Sequence, residues 1–244
     1  NSEGSSNKDI FKDVKNVDFI HYGSNIGLSK AMNFMCSKAA ESFEYICLLD
    51  QDSTFQTSQI EMLIKDINKY DDKLTAIYSP QIIYSHEKKV IKKSSGFMDV
   101  DWVITSGSFL NLSLFNKVCT FDEAYFIDRL DFDYCYFARL NGYHIKSSNT
   151  VFLSQSLGEL SRFLWISFYQ HSPLRNYYSF RNRIYFYLQK EQTKSYFFNF
   201  SKVVLLSCKQ VLSILVLESD KVAKLRFIFR AIRDYSSNRM GMYK

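Results

Sequence analysis

The chain has 244 residues, of which 46% are hydrophobic and 23% are charged, so it can bury a sizeable core and is not a disordered chain. Aromatic residues make up 17%, and the presence of only 2 Pro and 8 Gly argues against a loop-rich β sandwich. The net charge of +6 is unevenly divided, because the part from Arg162 onward holds 15 Lys and Arg against 4 Asp and Glu. We therefore expect an acidic first part and a basic second part in different surroundings.

Hydrophobic periodicity predicts alternating strands and helices up to about residue 158. In chain order, the predicted elements are a strand over Val17–Tyr22, a helix over Leu28–Ser42, a buried strand that ends at Asp50, a helix over Ser58–Tyr70, a strand over Leu74–Pro80 that the proline stops, a hairpin region over 81–101, a strand over Phe109–Leu112, a short helix over Leu114–Val118, a helix that stops at Asn141-Gly142 and a strand over His144–Val151. This alternation is typical of a three-layer α/β fold.

The sequence changes character after Glu159. Helical periodicity is predicted over Arg162–Phe168, Leu174–Leu188, Tyr196–Leu217 and Lys221–Tyr235, with aromatic and basic residues interleaved. Such amphipathic helices suit a membrane surface, although packing on the domain or on a second copy explains the pattern equally well. We recognise no signal peptide and no run of about 20 apolar residues, so we predict no membrane span.

The first acidic segment is Asp50-Gln51-Asp52, which follows directly on the apolar run Tyr45–Leu49. In open α/β sheets, ligands bind beyond the carboxyl ends of strands. Two carboxylates placed there can hold a divalent cation that bridges phosphate oxygens. By itself such a pair is more often a solvated turn.

The second acidic segment contains Asp128, Asp131 and Asp133. On a helix, Asp128 and Asp131 would share a face, whereas Asp133 would point elsewhere. Like charges held close together need compensation by Arg129, by Arg139, by a metal or by a catalytic role. The alternative is a solvated helix start, which the helix dipole favours.

Five motifs occur one after another along the chain. They are Asn25-Ile26-Gly27 with Asn33, Leu48-Leu49-Asp50-Gln51-Asp52-Ser53, Thr105-Ser106-Gly107-Ser108, Phe121-Asp122-Glu123 with Phe126-Ile127-Asp128 and Asp131, and His171-Ser172-Pro173 with Arg175-Asn176-Tyr177-Tyr178 and Arg181-Asn182. In this order they resemble the GT-A fold, family 2 inverting glycosyltransferases, and among these the rhamnosyltransferases of bacterial O-antigen and capsule assembly. The resemblance covers nearly the whole chain and implies a Rossmann-like, mixed, mostly parallel sheet flanked by helices.

The resemblance implies a metal site and a catalytic base. Asp52 would ligate Mg²⁺ or Mn²⁺, and Asp50 would contact the nucleotide ribose or a metal-bound water. Asp131 matches the family's base, which takes the proton from the acceptor hydroxyl, with Asp128 and Asp133 as competing candidates. The remaining implied contacts to the nucleotide sugar are Asn25 and Gly27 at the nucleotide pocket, Ser106 and Gly107 where substrate approaches the backbone, and Arg175 and Arg181 at a diphosphate or lipid phosphate.

The chain departs from the family pattern in two places. Family members carry a His just before a Leu-Gly pair, whereas this chain has Gln155 before Leu157-Gly158. A Gln amide oxygen is a weaker metal ligand than a His nitrogen, although it can still contribute to the site. The chain also begins at what resembles the Asn-Ser of a family turn, so we expect an N-terminal truncation that lacks the first strand.

The resemblance implies an inverting, metal-dependent transfer of a deoxyhexose, expected to be L-rhamnose from dTDP-rhamnose, to a glycan on a polyprenyl diphosphate carrier. Residues 1–158 would form the catalytic domain, and residues 159–244 a helical region that lies peripherally on the inner face of the bacterial cell membrane, in the cytoplasm. The alternatives are another nucleotide-sugar donor (galactosyl, glucosyl or glucosaminyl) and a non-catalytic glycan-binding or membrane scaffold. Nucleic acid is not an expected partner, because no nucleic-acid-binding motif is recognised.

Overall fold

A computed structural model describes residues 15–84, 96–118, 120–155, 160–163 and 166–244. Its strands are β1 (Tyr45–Cys47), β2 (Ser53–Thr54), β3 (Thr75–Tyr84), β4 (Phe97–Asp99), β5 (Phe109–Asn111), β6 (His144–Gln155), β7 (Leu160–Phe163) and β8 (Ile166–Tyr169). Its helices are α1 (Leu28–Ala39), α2 (Thr57–Tyr70), α3 (Leu112–Val118), α4 (Leu130–Leu140), α5 (Pro173–Tyr185), α6 (Tyr196–Val216) and α7 (Lys221–Ser236), and a π-helical turn (Phe186–Lys190) follows α5.

The main sheet has the strand order β1-β5-β3-β6-β2, with β4 also paired to β6. The long strands β3 and β6 run parallel to each other, and the other neighbouring pairs are antiparallel. Helix α1 leads into β1, α2 connects β2 to β3, and α3 and α4 lie between β5 and β6. The predicted α/β class, a mixed sheet flanked by helices, is therefore confirmed.

The main core lies between the sheet and helices α1, α3 and α4. Its buried residues include Met32 of α1, Leu110 of β5, Phe115 of α3 and Tyr134 of α4. Leu48, which lies two residues before Asp50, and Leu130, which directly precedes Asp131, belong to the same core. The sheet edge and the start of α4 are thus fixed to one packed unit, so the residues that follow them occupy defined positions.

Three strand predictions differ from the structure. Val17–Tyr22 has no regular secondary structure and pairs with no strand in the described ranges, and most of its side chains are exposed. β1 is half-buried rather than enclosed on both faces, because it lies at one end of the strand order. β3 continues through Pro80, since the β3–β6 register shifts between Ser79 and Gln81 and no proline N–H is needed there. Most of the predicted hairpin region, residues 85–95, lies outside the described residues.

The region after residue 159 is helical from Pro173 onward, as predicted, but it begins with an antiparallel β7–β8 hairpin. The predicted helix over Arg162–Phe168 is wrong, because so short a run does not separate helical from strand periodicity. A second core joins side chains of α4 and of the loop before it to α5, the π-helical turn, α6 and α7. The C-terminal helices therefore pack directly against the segment that carries the second acidic cluster.

Helix α6 is long and apolar enough, by length and composition alone, to cross a membrane, with a mean hydropathy of 1.4. This corrects the prediction of no membrane span, because the aromatic residues at its start extend the apolar run backward from Val203. Only 17% of its apolar window is buried, and Phe197, Leu205 and Leu212 are more than half exposed. Such a helix is weak evidence for a span, but its exposed apolar face is a marked feature of the surface.

Candidate active site

The turn Asp50–Ser53 is held by the loop before β5. The Leu48 N–H donates to the Ser108 carbonyl (3.2 Å), and the Gly107 N–H donates to the Leu48 carbonyl (2.6 Å). The Ser106 hydroxyl accepts from the Asp50 N–H (3.1 Å) and lies 2.8 Å from the Ser53 hydroxyl. The backbone at Asp50 and the Ser53 side chain, which flank Asp52, are thereby held in place after β1.

Ser106 and Gly107 have a different role from the one expected. The sequence predicted that they admit substrate to the backbone, but Ser106 is 1% exposed and its hydroxyl is engaged by the turn. Gly107 has φ +75°, and a Cβ there would overlap the Leu153 side chain and lie 3.2 Å from Cγ of Pro80. The close approach that glycine permits is therefore made by the protein's own β3 and β6 strands.

Gln155 lies beside the first acidic segment. Strand β6 runs four residues beyond the predicted end, and its last residue pairs with Ser53 of β2, directly after Asp52. Burial, and then the negative charge of Asp52, raise the pKa of Asp50. Carboxylate and amide oxygens are the donor types that suit a hard cation such as Mg²⁺ or Mn²⁺, so the residue types of Asp50, Asp52 and Gln155 fit such an ion. Within the described ranges, no group of three or more His, Cys, Asp or Glu could hold a metal, and the role of Gln155 as a third ligand stays a prediction.

The turn Asn25–Gly27 packs against the loop before the second acidic segment. The Asn25 side-chain oxygen accepts from the Gly27 N–H (3.0 Å), and the Leu28 N–H donates to the Phe126 carbonyl (2.7 Å). Gly27 has φ +89°, and a Cβ would lie 2.8 Å from Cδ2 of Phe126. Asn25 and Gly27 therefore join the start of α1 to this loop, while their predicted contact with a nucleotide stays a prediction.

The three acids of the second segment have different surroundings. Asp128 lies before α4 with φ +68°, so the predicted helical face shared with Asp131 is wrong. Asp131 is half-buried in the first turn of α4 and accepts from the Phe132 N–H (3.0 Å). Burial raises its pKa to about 6, and the charge of Asp128 adds to the effect. Asp133 is 2% exposed and accepts from the Tyr125 hydroxyl (3.1 Å), which makes it a core residue rather than a candidate base.

Comparison with known proteins assigns these segments to a family. The sequence profile described as Glycosyl transferase family 2 matches residues 4–134, which is more than half of the chain and contains both acidic segments. The chain belongs to glycosyl transferase family 2. The resemblance predicted from the motif order, and with it the enzyme class, is confirmed.

A curated relative and a solved structure are also similar to this family 2 chain. Over 194 residues the chain is 26% identical to the dTDP-rhamnosyl transferase RfbF of Shigella flexneri, a match that covers 72% of this chain and 64% of RfbF. The chain thus spans somewhat less than two thirds of that relative. The crystal structure of S. aureus TarS 1–349 aligns with a TM-score of 0.46 at 13% identity, covering 96% of this chain and 69% of TarS.

Arg181 is not placed to bind a phosphate. It is 0% exposed, and its guanidinium donates to the Tyr177 hydroxyl (2.9 Å) and to the carbonyls of Arg239 (3.3 Å) and Gly241 (2.8 Å). The predicted ligand role is therefore wrong, because this family 2 chain uses Arg181 to fix its last residues against α5. Arg175 is exposed at the start of α5 and stays a candidate for an anionic ligand.

Sequence reasoning missed a supporting network behind the second acidic segment. Asp122 accepts from Lys190 Nζ (2.8 Å) and from the Tyr185 hydroxyl (2.9 Å). Burial would raise the pKa of Asp122, but the hydrogen bond and charge of Lys190 outweigh it and the pKa is lowered. Arg139, which the sequence offered as compensation for the acids, instead pairs with the exposed Asp101 (2.8 Å). The sequence shows both charged residues, but Asp122 and Lys190 are too far apart along the chain for their pairing to be predicted.

Proposed function

We propose that this chain catalyses inverting transfer of L-rhamnose from dTDP-rhamnose, with Asp131 as the general base. The observation that carries the proposal is the place of Asp131, which lies half-buried in the first turn of α4, whereas Asp133 is enclosed in the core and bonded to the Tyr125 hydroxyl. Asp131 follows Leu130 in the same core that contains Leu48, next to the Asp50–Ser53 turn. Because both acidic segments pack on one core, we assign them to a single site, in which Asp50 and Asp52 would bind the metal and Asp131 would act as the base.

Asp131 would accept the proton of the acceptor hydroxyl as its oxygen attacks the anomeric carbon. A carboxyl with a pKa of about 6 is mostly ionised at neutral pH, yet it is a stronger base than an ordinary aspartate. Attack on the face opposite the departing nucleoside diphosphate inverts the anomeric configuration. Asp128 lies close enough for its negative charge to raise the pKa of Asp131. Asp128 would thus adjust the basicity of Asp131 without accepting the proton itself.

Asp50, Asp52 and Gln155 would hold Mg²⁺ or Mn²⁺. A bound cation of this kind neutralises negative charge on the departing diphosphate. Ser106 would keep the turn in place through its hydrogen bonds to Asp50 and Ser53. The amide oxygen of Gln155 is neutral, so the two carboxylates would supply the charge of the donor set.

The choice of donor is supported by RfbF, whose name specifies dTDP-rhamnose. Another nucleotide sugar on the same fold is the alternative. A panel of dTDP-rhamnose, UDP-galactose, UDP-glucose and UDP-N-acetylglucosamine separates them by release of the nucleoside diphosphate. Preference for any donor other than dTDP-rhamnose would refute the sugar assignment and leave the transferase assignment intact.

The acceptor that we propose is a glycan on a polyprenyl diphosphate at the inner face of the cell membrane. Exposed apolar side chains along α6, and an exposed stripe on α7 in which Val222 and Phe229 alternate with Arg226 and Arg233, support attachment to an anionic lipid surface. Co-sedimentation with vesicles containing phosphatidylglycerol tests this. Phe229→Ser should weaken binding, whereas Phe43→Ser, at an equally exposed Phe between α1 and β1, should not.

The function is tested with radiolabelled dTDP-rhamnose, Mg²⁺ or Mn²⁺, and a lipid-linked acceptor. Asp131→Asn should reduce transfer by at least about 100-fold, whereas Asp101→Asn, at an exposed aspartate paired with Arg139, should leave it unchanged. Unchanged turnover in Asp131→Asn would exclude Asp131 as the base.

A second candidate is metal-dependent binding of a nucleotide sugar without transfer. The observation in its favour is that, among the described residues, no third His, Cys, Asp or Glu joins Asp50 and Asp52 in a group that could hold a metal, so a third ligand would be the amide of Gln155. Calorimetric binding of dTDP-rhamnose with no release of dTDP in the same sample would select this candidate.

A further inference from the structure

The loop that leads into α4 has four successive backbone carbonyls, each of which accepts a hydrogen bond from another element. The donors lie on two helices that pack against the loop from different parts of the chain. These bonds are Ser29 Oγ to Tyr125 O (2.6 Å), Leu28 N to Phe126 O (2.7 Å), Asn182 Nδ2 to Ile127 O (2.8 Å) and Asn182 Nδ2 to Asp128 O (3.0 Å). The start of α1 thus holds the first two carbonyls, and a single α5 side chain holds the last two.

Asn182 is fully committed to this loop. Its side chain is 0% exposed, and its amide nitrogen, which carries two hydrogens, donates to two neighbouring carbonyls. The side-chain oxygen accepts a longer bond from Nε of Arg181 (3.4 Å). Because Arg181 is itself anchored to the last residues of the chain, Asn182 sits on a rigid part of α5.

The residues that these bonds hold adopt an unfavourable backbone conformation. Asp128 and Arg129 have φ of +68° and +69°, in the left-handed region that non-glycine residues seldom adopt. Two consecutive residues of this kind persist only where the surroundings impose them. Arg129 has its guanidinium over the rings of Phe132, Phe186 and Tyr187, which adds a further contact to this turn.

The direction in which the chain enters α4 follows from this turn. Arg129 is the N-cap residue in left-handed conformation, and Asp131 follows two residues later in the first helical turn. A change at Asp128 or Arg129 would rotate the first turn of α4 and move the Asp131 carboxylate. The two bonds from Asn182 fall on the carbonyls of Ile127 and Asp128, so they hold the peptide groups on both sides of Asp128, the first of the two strained residues.

We propose that Asn182 is a positioning residue that clamps the turn before α4 and thereby sets the orientation of Asp131. This inference rests on the proposed function, since it gives a support to the base assigned there. The inference also gives the C-terminal region a role at the proposed active site. Asn182 lies on α5, and the family 2 match ends before this helix, at residue 134.

The test compares Asn182→Ala and Asn182→Leu with Asn33→Ala in the full chain. Asn33 is a matched control because its amide also makes two hydrogen bonds to the backbone of the same loop, both at Phe121, and a longer one to the Glu123 carboxylate (3.4 Å), all at the end remote from Asp131. The leucine variant keeps the branched shape of the side chain without a donor, so it serves if the alanine variant does not fold. Circular dichroism establishes that each variant is folded.

For the Asn182 variants we expect kcat to fall about 10- to 100-fold while KM for dTDP-rhamnose stays within about twofold. The midpoint of the pH profile of kcat should move from about 6 toward the ordinary value of 3.8, because a loosened helix start exposes Asp131 to water. Hydrogen–deuterium exchange at residues 127–132 should accelerate. Asn33→Ala should change none of these three quantities.

Equal loss of kcat in Asn182→Leu and Asn33→Ala, or an unshifted pH midpoint, would overturn the inference. Unchanged exchange at residues 127–132 in the folded Asn182 variants would also overturn it, whatever the activity. If the wild-type chain transfers no sugar while exchange still accelerates only in the Asn182 variants, the proposed function fails and the clamp stands.

Discussion

Gly107 offers a direct test of how tightly the loop behind Asp50 is packed. In Gly107→Ala, the residue at φ +75° acquires a Cβ that overlaps the Leu153 side chain and lies 3.2 Å from Pro80. The left-handed conformation costs about 1 kcal/mol for a non-glycine residue. Overpacking in a filled core adds about 1–3 kcal/mol. We therefore expect Gly107→Ala to lower the free energy of unfolding by about 2–4 kcal/mol.

The matched control is Gly142→Ala. Gly142 has a similar φ of +81° after α4, but nothing lies within 4 Å of the position that its Cβ would occupy. Its substitution should cost only the backbone component of about 1 kcal/mol. The difference between the two variants isolates the steric contact with Leu153 and Pro80. For a chain of this size, 1 kcal/mol corresponds to about 2–4 °C in Tm.

The assay is thermal or urea unfolding followed by circular dichroism, with donor binding measured on the same samples. Because Gly107 adjoins Ser106, whose hydroxyl holds Asp50, we also expect weaker Mn²⁺-dependent binding of dTDP-rhamnose in Gly107→Ala. Equal stability of Gly107→Ala and Gly142→Ala would refute the packing argument. A stability loss with unchanged donor binding would refute the link between this loop and the Asp50–Ser53 turn.

Three further predictions follow from the charges around the acidic segments. Since the base must be ionised and burial raises the pKa of Asp131 to about 6, kcat should fall about tenfold per pH unit below pH 6; a midpoint near 4 would contradict this. Arg181→Met should destabilise the fold by about 3 kcal/mol, because the buried hydrogen bonds of Arg181 are lost. Arg175→Gln should leave Tm unchanged but weaken the binding of a diphosphate ligand, which is measured by calorimetry with dTDP. Lys190→Met should cost about 1.5–3 kcal/mol at neutral pH. The folded-state pKa of Asp122 is lowered, so the stability contributed by the Asp122–Lys190 pair is present above pH 3.8 and is lost as the pH falls further. The difference in Tm between Lys190→Met and wild type should therefore shrink at low pH. A difference that stays constant would exclude the ion pair as the cause of the destabilisation.

Much of the local structure could be predicted from the sequence because it depends on short-range periodicity. The helices over Ser58–Tyr70, Tyr196–Leu217 and Lys221–Tyr235 were predicted to within about two residues, a normal uncertainty for helix ends. The order of the motifs was sufficient to predict the family. Gln155 was singled out from its place before Leu157-Gly158; the β2–β6 pairing puts its backbone opposite Ser53, and its role at a metal stays a prediction.

The tertiary structure decided the roles of individual polar residues. Arg181 and Ser106 have residue types that suit ligand binding, yet burial and hydrogen bonding commit both to the fold. Pro80 ends a strand by local rules but lies inside β3, because a register shift removes the need for its N–H. Asp128 fits a helical face by spacing, but its left-handed conformation places it outside α4.

The sequence by itself determined the α/β class, the family and the two acidic segments, because these depend on residue types and on their order along the chain. Only the tertiary structure showed that residues far apart in sequence support those acids, as Ser106 does for Asp50 and Asn182 does for the turn before Asp131. The physical reason is that a hydrogen bond between segments 50 or more residues apart is fixed by packing, and neither partner carries a local signal of the other.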